Sequence, residues 1–211
     1  MLAATCWCAI ASASSFETQF ESDESPVFEG GKWLNLGLDW TYVVSRGGAA
    51  FGTHRPGDYD DSYAHLTGFS PNQYAEATIV KTGSFETYQE LEIYLRFDDS
   101  AHFARGYEVQ IEANNAYAYV VRWNGPLGDF THLSSPDTFA LPRPPETGDV
   151  FAAQIVGDVI TVYFNGMKVG RVMDSTWADG NPGIGFFSGD STGAQNLRFG
   201  ITRFVARDVE N

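Results

Sequence analysis

Apolar and polar residues alternate along most of the chain with the two-residue period of β-strands, in which successive side chains face opposite sides of a sheet. The pattern predicts a first strand at Phe16–Phe20, then strands over roughly Tyr63–Leu66, Tyr74–Val80, Tyr88–Phe97, Tyr107–Glu112 and Tyr117–Trp123. A second group spans Val150–Val156, Val159–Phe164 and Met167–Val172, separated by Gly157-Asp158 and Asn165-Gly166. Asn-Gly between two apolar alternations is a strong hairpin signal. A glycine-rich PGIGFFSG at Pro182–Gly189 and a closing LRFGITRFVARDV complete the set. No long window carries the helical period, so the fold class is all-β, a two-sheet antiparallel jelly-roll sandwich. The stretch Gly47–Asp61, rich in glycine and polar residues, reads as a long surface loop. Trp33 and Trp40 read as core plugs rather than ligand platforms.

The alternation also assigns faces, because a slip of one residue would turn every side chain to the other side. Leu91, Ile93, Leu95 and Phe97 share one parity and point to the core, which leaves Glu90, Glu92, Tyr94 and Arg96 on the opposite face. In the next strand Tyr107, Val109 and Ile111 point inward, while Glu108, Gln110 and Glu112 point outward. A two-residue turn at Asn114-Asn115 pairs Val109 with Val120 and Gln110 with Tyr119, which brings Tyr117, Tyr119, Val121 and Trp123 to the polar face. Glu92 then sits opposite Glu108 or Gln110. One sheet face thus gathers carboxylates, an amide, a guanidinium and aromatic rings.

Composition narrows the function without naming it. The chain of 211 residues suits one sandwich domain, 16–211, behind a signal-like segment, 1–15. In that segment Ala11-Ser12-Ala13 resembles a signal-peptidase site, although the basic region that normally precedes the apolar core is missing. The expectation is a secreted protein, with an unusual start or a fragment as the other reading. Cys6 and Cys8, the only cysteines, are too close for a normal disulfide and make no metal pattern alone. A formal charge of -14 repels phosphate backbones and anionic lipids, so no nucleic acid and no membrane insertion are expected.

Three stretches carry a resemblance: GYEVQI at Gly106–Ile111, DVITVYFNGMKVGRV at Asp158–Val172 and GNPGIGFFSG at Gly180–Gly189. With the closing strand they cover Tyr74–Val205, and this part of the chain resembles the concanavalin A-like lectin/glucanase superfamily, in particular its laminin-G-like and glucanase-like members. The resemblance implies a sandwich whose concave sheet holds an oligo- or polysaccharide. It does not separate lectins from glycoside hydrolases, polysaccharide lyases or adhesive modules. The laminarinase-type glutamate-x-aspartate-x-x-glutamate spacing is absent, and the comparable stretch reads ETYQELEIYLRF.

The candidate binding residues are therefore Glu90, Tyr94, Arg96, Gln110, Tyr119 and Trp123. Glu92 and Glu108 form the candidate catalytic pair, since opposed strand positions bring carboxyls within the range that glycosidases use. The alternatives are an enzyme on this face and a structural or adhesive module with no small-ligand site. His102 and His132 lie near strand ends beside the face. No motif requires a cofactor; the one candidate ion is a structural calcium, with Asp58, Asp60 and Asp61 of the acidic DYDD loop as oxygen ligands and His54 and His65 nearby.

Overall fold

A computed structural model describes residues 13–53, 61–134, 138–190 and 192–210. Strands are numbered along the chain. One sheet, the back sheet, has the order β14 (Met167–Met173), β13 (Val159–Phe164), β12 (Val150–Val156), β6 (Gln73–Lys81), β16 (Phe199–Asp208), β4 (Ala50–Phe51) and β3 (Val44–Ser45), and β1 (Ser15–Thr18) also pairs with β16. The front sheet has the order β10 (Phe130–His132), β9 (Tyr117–Pro126), β8 (Phe103–Glu112), β7 (Gln89–Ser100), β15 (Asn181–Ser188), β5 (Asp61–His65) and β2 (Thr41–Tyr42), with β11 (Phe139–Ala140) beside β9. Pairing is antiparallel except between β2 and β5. The fold is the all-β, two-sheet jelly-roll sandwich that the alternation predicts.

Local chemistry accounts for the sharpest boundaries. Asn165 and Gly166 both have positive φ, 50° and 75°, the conformation of the hairpin turn that joins β13 to β14 with the right strand twist. The core lies between the sheets. Leu91, Ile93, Leu95, Tyr107, Val109, Ile111 and Val120 come from the front, and Ala75, Ala77, Ile79, Phe151, Ile155, Val162 and Phe204 from the back. Each fully buried aliphatic or phenylalanine side chain contributes about 1.5–3 kcal/mol. Trp33 belongs to this core, edge-on to Phe16 at 5.4 Å.

Two expectations are corrected. Part of Gly47–Asp61 is a tight β3–β4 hairpin with buried Ala50, turned at Gly47 and Gly48, rather than an open loop; residues 54–60 lie outside the described residues. The second correction concerns β7. Arg96 has φ of 48° and the β7–β8 register shifts between Leu95 and Asp98. This bulge inverts the parity, so Phe97 joins the outer face of the front sheet and Arg96 leaves it. Glycine on either side, in β8 and immediately before β15, accommodates the bulge. A Cβ at Gly106 would lie 2.7 Å from the Arg96 carbonyl oxygen, and one at Gly180 would lie 2.2 Å from it.

Candidate functional site

The outer face of the front sheet is built in rows. Asp61, Phe187, Glu90 and Glu112 align across β5, β15, β7 and β8. Below them run Tyr63, Gly185, Glu92, Gln110 and Tyr119, then His65, Gly183, Tyr94, Glu108 and Val121. Gln110 pairs with Tyr119 and Val109 with Val120, and Glu92 stands opposite Gln110, with Glu108 diagonal to it and opposite Tyr94.

One end of this face is sealed. Residues 35–41 cross over it, held where Asp99 accepts from the Leu36 amide at 2.7 Å and the Tyr63 hydroxyl accepts from the Gly37 amide at 2.8 Å. Trp40 is thereby laid against Tyr63 and Trp123, each at a centroid distance of 4.9 Å, above Tyr94 and Phe97. Underneath, the Tyr63 hydroxyl donates to Asp99, and the other Asp99 oxygen meets His65 Nε2 at 2.8 Å. Burial lowers the His65 pKa and raises that of Asp99, whose charge is partly supported by backbone amides.

The other end is open, and there the face forms a cavity of about 260 Å³. Its polar lining is Asp61, Glu90, Glu108, Gln110 and His132; its rings are Tyr88, Tyr119, Trp123, Phe130 and Phe187. Glu90 Oε1 accepts from Gln110 and from the Tyr119 hydroxyl, both at 2.5 Å. Since Tyr119 spends its single proton there, Tyr88, 2.7 Å away, donates to Tyr119. Trp123 Nε1 donates to Glu108 Oε2 at 2.7 Å. Tyr119, His132, Phe130 and Trp123 continue as a chain of ring contacts 5.4–5.5 Å apart along β9 and β10.

Burial dominates the electrostatics of the cavity's acids. Burial raises the pKa of Glu90 to about 7, against the pull of the hydrogen bond from Tyr119. Burial, then the charges of Asp61 and Glu90, hold Glu108 well above the usual carboxylate range. Glu92 is shifted the same way by burial and by Glu108, Asp61 and Glu90. Its Oε2 accepts from Tyr94 at 2.5 Å, while Oε1, buried, has no hydrogen-bond partner among the described residues. Gly185 makes room for this pair, because a Cβ there would lie 2.2 Å from Glu92 Oε2. Burial first, and repulsion among the carboxyls second, disfavour the charged form of these acids.

The structure therefore brings Glu90, Glu108, Gln110, Tyr119 and Trp123 into one cavity. Glu92 and Tyr94 are on the same face but fully buried beside it. Arg96 is not on this face. Its guanidinium donates to the carbonyls of Pro71, Trp177 and Gly157, a structural role imposed by the bulge. Asp61 lines the cavity and His65 lies four strand residues away in the sealed network, roughly 13 Å. Asp58, Asp60 and His54 lie outside the described residues, and among the described residues no three His, Cys, Asp or Glu side chains converge to hold a metal ion. His102 contacts Asp39 away from the cavity. Sequence reasoning missed Tyr88, Phe130 and Phe187. The first shares the parity of Glu90, and the last shares that of Gly185 in PGIGFFSG, so both were legible by the same alternation; Phe130 sits on a three-residue strand too short to show one.

No family model matches the chain, and no curated protein matches it. Among solved structures it is similar to the carbohydrate binding module CBM66 from Bacillus subtilis, at 14% identity and a TM-score of 0.57 over 84% of this chain and 92% of that one. It is similar to the kappa-carrageenase from Pseudoalteromonas carrageenovora, solved with an oligotetrasaccharide of kappa-carrageenan, at 14% identity and a TM-score of 0.56 over 95% and 97%. It is also similar to the endo-beta-1,3-glucanase from Pyrococcus furiosus, at 14% identity and a TM-score of 0.55 over 93% and 94%. At such identities the likeness is one of fold.

Proposed function

We propose that this chain, whose fold is that of the concanavalin A-like lectin/glucanase superfamily, binds an oligo- or polysaccharide in the cavity on the outer face of its front sheet. The observation that carries this reading is the cavity's composition: aromatic rings form the walls, and Glu90, Glu108 and Gln110 supply acceptors and one amide donor on the floor. A sugar presents the matching surface, with apolar C–H faces that lie against rings and hydroxyls that donate to carboxylates. The names of the structural neighbours, a carbohydrate binding module and polysaccharide-cleaving enzymes, support the same class of partner. An extracellular site of action goes with this reading, since such glycans are met outside the cell.

Tyr119 and Tyr88 are the rings to test, because both are partly exposed, whereas Trp123 is packed under Trp40. Tyr119→Ala and Tyr88→Ala are expected to weaken glycan binding in titration calorimetry about tenfold or more, with the melting temperature little changed; unchanged affinity removes the site.

A second reading, a glycoside hydrolase using Glu108 with Glu92, is favoured by one observation. Glu108 lines the cavity with its pKa held well up, as a general acid requires, and its charge raises Glu92 in turn. If so, Glu108→Gln abolishes release of reducing ends from the polysaccharide that the wild type cleaves, and leaves affinity in place. A lyase built on tyrosine, histidine and arginine has less support, because Arg96 is turned away.

A further inference from the structure

The aromatic wall of the cavity does not stop at β9. It continues onto β10, the edge of the front sheet among the described residues, where Phe130 pairs with Trp123 and His132 with Val121. Paired positions share a face, so both side chains stand beside Trp123 and Val121, and both line the cavity. Phe130 is edge-on to Trp123 and to His132, each 5.4 Å away, and His132 lies 5.5 Å from Tyr119. A single exposed phenylalanine is ordinary on a protein surface. This one is 43% exposed yet continuous with the rings of a cavity.

The strand beneath these rings is short but firmly held. Asn124 on β9 donates its backbone N–H to the Asp129 carbonyl at 2.9 Å and its side-chain amide to Asp129 Oδ1 at 2.8 Å and Thr131 Oγ1 at 3.0 Å. The Asp129 amide closes the turn onto the Pro126 carbonyl at 2.9 Å, and past the other end the Leu133 amide donates to the Val120 carbonyl at 2.9 Å. Thr131 is thus tied to the opposite face, which fixes its neighbours Phe130 and His132 on the outer one. A surface held this way gives up little conformational freedom when a ligand lands on it.

The cavity itself is small. Its volume of about 260 Å³ lies below the roughly 300–1,000 Å³ usual for ligand pockets, so a glycan longer than the part it encloses runs out of it. Along the strands the way is bounded by Trp40 against Trp123 on one side and by the Tyr88 and Tyr119 hydroxyls, 2.7 Å apart, on the other. Toward β5 the lining ends at Asp61, beside residues 54–60, which lie outside the described residues. Toward β10 it continues in exposed rings.

We infer that Phe130 and His132 form an outer sugar subsite at the sheet edge, so that the ligand is an oligosaccharide of two or more units, one seated in the cavity and the next lying across β10. The inference rests on the glycan-binding reading and deepens it, naming the length that the site reads and the residues that read it. The apolar C–H face of the second unit covers the Phe130 ring and removes it from water.

The test reads a glycan array of neutral and anionic oligosaccharides, one to six units long, with the full chain. The mono-, di- and trisaccharide of the best-bound series are then titrated by calorimetry, the monosaccharide through its displacement of the trisaccharide. In the wild type, affinity is expected to rise about tenfold from one unit to three, equivalent to about 1.4 kcal/mol. Phe130→Ala is expected to remove most of that rise and to leave the affinity of the single unit unchanged. His132→Ala removes a smaller part, and Phe130→Tyr, which keeps the ring, preserves the rise. Should Phe130→Ala melt early, Phe130→Leu takes its place, since it keeps an apolar contact with Trp123 but offers no ring face.

If affinity does not rise with length, or if the rise survives Phe130→Ala, the inference is overturned and the glycan reading stands on Tyr119→Ala. If Phe130→Ala weakens one unit and three units equally, Phe130 is a wall of the cavity and there is no outer subsite. If no glycan on the array binds, the inference and the glycan reading fall together.

Discussion

The two ends of the front sheet's outer face are made of the same kinds of side chain and do different things. At the sealed end, Tyr63, His65 and Asp99 satisfy one another, and Trp40 closes the network from above. At the open end, Glu90, Gln110 and Tyr119 satisfy one another only in part, Glu108 accepts from one indole, and among the described residues no segment crosses over. The difference is not in the sheet. It comes from residues 35–41, which donate two backbone amides to Asp99 and Tyr63 and bring an indole. A polar and aromatic face becomes core when a neighbouring loop supplies donors, and stays an open cavity when it does not.

The most direct way to break this contrast is to remove the cover. Trp40→Ala takes away the ring that touches Tyr63, Phe97 and Trp123. The loss of a buried tryptophan is expected to cost about 3–5 kcal/mol, read as a lower denaturation midpoint at unchanged slope. A loss under about 1 kcal/mol would mean that the sealed end holds together through Asp99 and Tyr63 alone.

Much of this arrangement was legible beforehand. Val150–Val156 and Val159–Phe164 fall where the turn residues put them, because a two-residue turn ties both strand ends to local chemistry. The outward parity of Glu90, Glu92, Glu108 and Gln110, and the pairing of Gln110 with Tyr119, follow from alternation and one Asn-Asn turn. Arg96 and Phe97 did not, because a bulge is a backbone event. Its trace in the sequence is indirect: Gly106 on β8 and Gly180 immediately before β15. The cover by Trp40 was the hardest to see, since it depends on a contact across more than fifty positions with no periodic signature. That contact decides which of the face's carboxylates line a cavity and which are sealed, so the fold was far more readable than the site.

The two ends also differ in how pH acts on them. Glu90 has an ordinary pKa of 4.5 in the unfolded chain and about 7 in the folded one. Below the lower value it is protonated in both states, and its burial is cheap. Between the two values the unfolded chain releases the proton and the folded chain keeps it, so stability falls as pH rises through this window and then levels off. Glu92 and Glu108 shift in the same direction and extend the loss, as does Asp99. His65 at the sealed end works oppositely: its pKa is lowered from 6.5, so its contribution is present above that value and lost as pH falls below it. Glu90→Gln is therefore expected to stabilise by about 1–3 kcal/mol near pH 8 and by little near pH 4.5, measured as denaturation midpoints at both. An equal gain at both would show that the carboxyl is not perturbed by burial.

The smallest expected effect makes the finest comparison, because it changes one oxygen at each end. Tyr63→Phe removes a hydroxyl that donates to Asp99 and accepts from the Gly37 amide, and the buried Asp99 is then left short of a donor. That is the costly case, about 1–3 kcal/mol. Tyr119→Phe removes a hydroxyl that donates to Glu90 and accepts from Tyr88, but beside a cavity that admits water, so the lost bonds are remade. The expected cost is about 0.5 kcal/mol or less, with the glycan affinity lowered instead. If thermal melts give the two variants equal losses, the cavity end is as dry as the sealed end, and the distinction between core and site drawn from Trp40 does not hold.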